Sequence, residues 1–197
     1  MAKLYFRYGA MNSGKSTALL QAAYNYEERD QHVLLAKPGI DSKGGGSIVS
    51  RLGVTREADF TIAPDERMRE VFARRRAASA HPIACLLVDE AQFLAEGQVD
   101  DLLRIAVLDG VPVLAYGIRT DFRTRAFPGS RRLLEVAHSL EELKTICRCG
   151  RKAVFNARRV GESYVFDGGQ VAIDGLEVAY ESLCAQCYLR ESGGGLS

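Results

Sequence analysis

The chain has 197 residues, 47% of them hydrophobic, and its 26 basic and 25 acidic side chains leave a formal charge of +1. This is enough for one full domain, or one domain with a small appendage, and for a substantial core. The cancelled charge offers no footprint for nucleic acid or a lipid surface, and no apolar run approaches the roughly 20 residues that span a bilayer.

The chain starts with "MAKLYFRYGAMNSGKS", which shows no signal-peptide pattern, so a cytoplasmic location is expected. "KLYFRY" (Lys3–Tyr8) predicts a strand, and apolar residues at helical spacing predict a helix from Gly14 to about Arg29. "HVLLAK" (His32–Lys37) reads as a second strand. The following "PGIDSKGGGSIVSRLG" combines proline, three glycines and serines, which predicts a mobile loop. Pro64 suits a helix start, with Asp65 and Glu66 in the first turn and an end near Ser79. "IACLLVDE" is an apolar strand of the kind covered on both faces in a parallel sheet. A helix near Gly97–Leu108 and a strand "VPVLAYG" (Val111–Gly117) come next. Alternating strands and helices predict a doubly wound, mostly parallel α/β sheet.

After about Leu143 the pattern changes to alternating apolar residues, glycines and four cysteines, without a helical period. A β-rich module of about 45 residues is too small to hold its own core without a staple. The expected organisation is a nucleotide-binding domain over 1–143, a zinc module over 144–191 and a disordered tail over 192–197.

Three motifs carry chemistry. "GAMNSGKS" (Gly9, Ala10, Met11, Asn12, Ser13, Gly14, Lys15, Ser16) satisfies G-x-x-x-x-G-K-[ST] between a strand and a helix, the context of a phosphate-binding loop. Its backbone amides and the helix N-terminus would cradle ATP phosphates, with Lys15 on the β- and γ-phosphates and the Ser16 hydroxyl on Mg²⁺. Asp89 and Glu90 end an apolar strand at the carboxyl edge of the sheet, where an acid can hold the metal and a second can take a proton. Cys147-x-Cys149 and Cys184-x-x-Cys187 form a plausible Cys₄ zinc site, closed and structural, whereas Cys85 sits inside an apolar strand as core. Five cysteines in a reducing compartment fit metal binding and burial better than a disulfide framework.

Together, "GAMNSGKST", "VDEAQF", "YGIRTDF" and the paired cysteines resemble, in order and spacing, thymidine kinases of the zinc-containing P-loop type. The resemblance implies transfer of the ATP γ-phosphate to the 5′-hydroxyl of thymidine, with Mg²⁺, and Glu90 as the general base. It implies that Asp89 and Gln92 join the ATP-binding set, and that Cys147, Cys149, Cys184 and Cys187 ligate structural zinc. The zinc module resembles the family's lasso over the nucleoside, here "QVAIDGLEVAY". Val171, Ala172, Ile173, Asp174 and Gly175 would meet the base through main-chain groups and Tyr180 through its side chain. Met11, Phe93, Ile118 and Phe122 would enclose the thymine ring, whose flat apolar faces suit aromatic and methionine side chains. The resemblance also implies a homotetramer, feedback by dTTP, and deoxyuridine as a second candidate substrate. Three features depart from the family's usual pattern: the first cysteine pair is C-x-C where C-x-x-C is commoner, the lasso reads "IDGLEVAY" where many relatives show an I-G-G run, and Asp41 is followed by "SKGGGS" without the arginine often found there.

Two other readings stay open at this level. "VDEAQ" also resembles a helicase DExx box, in which the glutamate activates water, although a charge of +1 is unsuited to tracking a strand. Arg148, Arg151, Lys152, Arg158 and Arg159 would fit a zinc-ribbon binding module, a solvated face, or arginines aimed at ATP.

Overall fold

The structure is a computed structural model that describes residues 1–39, 46–169 and 178–196. In chain order, β1 (Leu4–Tyr8) leads to α1 (Lys15–Glu27) and β2 (His32–Pro38). Then follow β3 (Ser47–Val49), β4 (Thr55–Glu57), β5 (Phe60–Ile62) and α2 (Met68–Ala78). β6 (Ile83–Val88) runs into a single 3-10 turn at Ala91–Phe93, and then come α3 (Glu96–Leu108) and β7 (Val113–Gly117). α4 (Pro128–Val136) and β8 (Ser139–Glu142) complete the first layer set.

The six-stranded sheet has the order β5-β2-β6-β7-β1-β8, and every pairing in it is parallel. Its inner strands β2, β6 and β7 read as nearly continuous apolar runs because both of their faces are covered. Leu34, Ala36, Leu86, Val88, Val113 and Ala115 point to the side of α2, α3 and α4. Their neighbours Val33, Leu35, Cys85, Leu87, Leu114 and Tyr116 point to the side of α1, against Leu19, Leu20 and Ala23. The period of two in a strand thus serves two cores at once.

Several elements differ from the sequence expectations. The segment after β2 is not all loop: β3 and β4 pair as an antiparallel hairpin, and Lys37 Nζ donates to Ser47 O at 3.1 Å. The helix expected from Pro64 starts instead at Met68. The carbonyls of Ala63 and Glu66 accept from Gln98 Nε2 at 2.8 and 3.0 Å, and the Glu66 carboxylate receives Ala63 N–H at 2.9 Å. The turn spends its polar groups on α3 rather than on a helical ladder.

The remaining elements form the cysteine module. β9 (Thr145–Ile146) pairs with β10 (Lys152–Ala153), and β11 (Phe155–Val160) lies between β12 (Ser163–Val165) and β13 (Val178–Leu183). α5 (Ala185–Glu191), absent from the sequence expectations, closes the module and buries Cys187 and Tyr188. Its end carries on into described residues, with Ser192 N–H donating to Tyr188 O at 2.9 Å. Among the described residues no helix is long and apolar enough to cross a membrane.

Candidate active site

The carboxyl ends of β1, β6 and β7 meet at one edge of the sheet, where ligands bind in doubly wound folds. Gly9 to Ser16 bridges β1 and α1 there. Gly14 has φ of 76°, a left-handed conformation that suits glycine and turns the chain into the helix. A side chain at Gly9 would meet Leu143 O at 2.5 Å, so the loop can pass this close only without one. Lys15 Nζ folds over the loop and donates to Ala10 O at 2.9 Å. Burial pulls the Lys15 ammonium below its ordinary pKa, while Glu90 and Asp89 pull it back up. An ammonium short of solvation in this way gains most when phosphate charge arrives beside it.

Ser16 Oγ donates to Asp89 Oδ2 at 3.2 Å, which brings the two expected Mg²⁺ ligands together. Asp89 is only 4% exposed, and burial, followed by repulsion from Glu90, pushes its carboxyl up to about 6. A hydroxyl and a buried acid with few donors around it suit a hard divalent cation. Asp89 is still tied to the sheet, its N–H donating to Ala36 O at 3.0 Å.

Glu90 leaves the sheet. Its φ and ψ of 49° and 37° lie in the left-handed region, a strained setting for a side chain of this size and one that clusters at functional sites. This reversal sends the two adjacent carboxylates apart, Asp89 towards Ser16 and Glu90 towards Gln92, whose Nε2 donates to Glu90 Oε2 at 2.5 Å. Gln92 is 1% exposed, and its other amide atom, Oε1, accepts from Ile118 N–H at 3.2 Å.

The expected nucleoside wall is gathered nearby. Phe122 is buried, with the Arg158 guanidinium 3.7 Å from its ring centroid. Arg158 Nε also donates to the Tyr180 hydroxyl at 3.1 Å, and Nη2 to Gly169 O at 2.8 Å. Phe122 and Tyr180 are therefore joined through one arginine. Phe93 packs edge-on against Phe127, with centroids 5.5 Å apart. Asp121 holds the loop between, accepting from the N–H groups of Arg123 and Arg125 at 2.9 and 2.8 Å. Val171, Ala172, Ile173, Asp174 and Gly175 lie outside the described residues.

The cysteine module reaches into the phosphate loop. Asn156 and Ser182 are cross-strand partners on β11 and β13. Asn156 Oδ1 accepts Met11 N–H at 2.7 Å and its Nδ2 donates to Thr120 O at 2.9 Å, while the Ser182 hydroxyl donates to Met11 O. Both peptide groups of Met11 are thus held from the module, and Thr145 Oγ1 donates to Asn12 O at 3.3 Å. On the far side, the Tyr188 hydroxyl donates to Phe122 O at 2.7 Å. Asn156, Ser182 and Tyr188 carry no motif, and each matters only through contacts distant in sequence. Arg158 was visible only as one of a basic cluster.

The four late cysteines converge. Their sulfur atoms all lie within 4.8 Å of one another, and Cys149 Sγ is 3.6 Å from Cys184 Sγ. A tetrahedral zinc thiolate site with bonds of about 2.3 Å has edges of about 3.8 Å, so the donors fit zinc. The C-x-C pair closes through a tight turn, with Cys147 N–H donating to Arg151 O at 2.7 Å and Gly150 at φ of 83°. Cys187 N–H, at the start of α5, donates to Cys184 Sγ at 3.5 Å, as it would to a thiolate. Cys85 lies in the core, away from this cluster.

The family model described as thymidine kinase matches residues 2–188. A thymidine kinase of Idiomarina loihiensis is 50% identical over 197 residues, covering 98% of this chain and 99% of that protein. One from Rhizobium meliloti is 48% identical over 186 residues, covering 93% and 94%, and one from Ruegeria pomeroyi is 47% identical over 197 residues, covering 98% and 96%. A solved structure of helicases unwinding forked double-stranded DNA superposes at a TM-score of 0.37 and 18% identity over 72% of this chain and 39% of that one, too slight a likeness to carry an argument. The phosphate loop, the paired carboxylates and the cysteine cluster thus stand in a chain that belongs to the thymidine kinase family, whose reaction is the phosphorylation of thymidine.

Proposed function

We propose that Glu90 is the general base of this phosphorylation and that the phosphate loop and the cysteine module hold the two substrates on either side of it. The 5′-hydroxyl of thymidine attacks the γ-phosphorus of ATP, an O–P bond forms, and the bond from the γ-phosphorus to the β,γ-bridging oxygen breaks. The hydroxyl proton passes to Glu90 and ADP leaves with the bond's electron pair. Lys15 offsets the charge that develops on the transferring group. ATP lies along Gly9–Ser16, with Asp89 beside it. Ser16 and Asp89 would hold Mg²⁺, which when bound neutralises phosphate charge. The observation that carries this reading is the left-handed Glu90, which turns its carboxylate away from the Ser16–Asp89 pair.

Met11, Phe93, Ile118 and Phe122 enclose the base, and the cysteine module closes over it on the side of Tyr180. Closure would keep water from the γ-phosphate, which a kinase needs in order not to spend ATP on hydrolysis. A structural zinc on Cys147, Cys149, Cys184 and Cys187 staples the module internally, and Asn156, Ser182 and Tyr188 carry its contacts to the 1–143 domain. One methyl group is worth only about 1–3 kcal/mol in an apolar pocket, so deoxyuridine is a weaker second substrate. A cytoplasmic homotetramer inhibited by dTTP completes the proposal and rests on the family resemblance alone.

Glu90→Gln tests it. The amide keeps shape and an acceptor oxygen but cannot take the proton, so thymidine phosphorylation should fall by about 10²–10⁴-fold with both KM values little changed. Near-normal turnover, or wild-type ATP hydrolysis equally fast without nucleoside, would overturn the assignment.

A further inference from the structure

Gln92 invites a role among the ATP contacts by its place in "VDEAQF", but its surroundings give it another. The side chain is 1% exposed and lies beneath the 3-10 turn that follows Glu90. Its amide bridges two functional groups, donating to Glu90 Oε2 at 2.5 Å and accepting Ile118 N–H at 3.2 Å. The far end of that bridge is itself fixed, because Ile118 O accepts from Ser130 Oγ at 2.6 Å.

Two glycines make the arrangement fit. A Cβ at Gly117 would stand 2.7 Å from Gln92 Oε1, and one at Gly129 would stand 2.4 Å from Ala91 O and 2.9 Å from Gln92 O. The end of β7 and the start of α4 are therefore packed onto the turn at backbone distance, and the glutamine has little room to move. Glu90 needs such a support. Its left-handed backbone belongs to no helix or strand that would orient the side chain, and a long flexible glutamate must lose rotamer freedom to be held in one place. A primary amide holds one carboxylate oxygen and leaves the other for a substrate hydroxyl. Being neutral, it does not cancel the negative charge a base depends on.

We propose that Gln92 is a positioning residue that orients the Glu90 carboxylate and ties it to Ile118 on the nucleoside wall, rather than a ligand of ATP. This rests on the reading of Glu90 as the base. One amide hydrogen and the oxygen are both engaged under the turn, on Glu90 Oε2 and Ile118 N–H rather than on Gly9–Ser16.

The test is a cycle of four proteins: wild type, Gln92→Met, Glu90→Gln, and the double variant, assayed for thymidine phosphorylation at varied ATP and thymidine. Gln92→Met should lower kcat by about 10–100-fold, the cost of a misplaced catalytic group, with the KM for ATP unchanged. In the Glu90→Gln background the same substitution should change kcat by less than about twofold, because the effects share one cause. If Gln92→Met does not fold, Gln92→Glu replaces it in both backgrounds: it keeps the acceptor for Ile118 and loses the donor, and kcat should fall again. A rise in the KM for ATP at constant kcat, or losses that multiply in the double variant, overturns the proposal. Near-normal turnover of Glu90→Gln defeats instead the reading of Glu90 on which it rests.

Discussion

Replacing Asn156 with leucine tests whether the cysteine module organises the phosphate loop. Leucine fills nearly the same volume but deletes both hydrogen bonds, leaving Met11 N–H and Thr120 C=O without their partners at 2.7 and 2.9 Å. Asn156 is 2% exposed, so water cannot simply replace the amide. A buried polar group left unpaired costs about 1–3 kcal/mol, which makes about 2–6 kcal/mol for the two. Local relaxation and the apolar gain of leucine offset part of this, and a net loss of about 2–4 kcal/mol is expected. Urea titration should therefore show a lower midpoint with an unchanged slope, and zinc analysis should still find the wild-type metal content. Since Met11 belongs to the phosphate loop, the KM for ATP should also rise. An unchanged midpoint together with an unchanged KM for ATP would refute the reasoning.

Lys15→Ala should reduce turnover sharply while the circular dichroism spectrum and zinc content stay those of wild type, and near-normal turnover would remove the phosphate-loop assignment. Cys184→Ser should lower bound zinc and raise the KM for thymidine more than that for ATP, because the module carries Tyr180 but holds the phosphate loop mainly at Met11 and Asn12. Equal changes in both KM values would count against a substrate-closing role. The Asp101 carboxyl is raised by burial, but bonds from Arg67, Arg104 and the Arg69 N–H outweigh this and hold it below the ordinary range. Its stabilising contribution is present above the unfolded value of about 3.9 and is lost as pH falls through the lower folded value. Asp101→Asn should thus cost about 1–3 kcal/mol near pH 7, and the gap to wild type should narrow as unfolding is measured below about pH 4.

The elements legible beforehand were those whose signals are local. β2, β6 and β7 are buried on both faces and β1 buries Leu4 and Phe6 on one, so their apolar residues reveal them without knowledge of their neighbours. β5 and β8 went unseen because they are the sheet's edges: "FTI" is three residues long and "SLEE" is mostly polar, and each becomes a strand only by pairing with β2 or β1. α5 was hidden because its seven residues are too few for a helical period to emerge.

The site divides in the same way. Gly9–Ser16, the Asp89–Glu90 pair and the four cysteines are short motifs legible from residue type and spacing, and so the sequence by itself located a glycine-rich strand-to-helix loop, an acidic strand end and a cysteine cluster. It could not determine what holds them. The left-handed turn at Glu90, the Gln92 bridge to Ile118, the grip of Asn156 and Ser182 on Met11, and the stacking of Arg158 on Phe122 each join residues from different elements. Hydrogen bonds and ring contacts act over about 3–6 Å in space whatever the separation along the chain. Only the tertiary structure, by closing sequence separations as long as the 171 positions from Met11 to Ser182, decided which polar groups would meet.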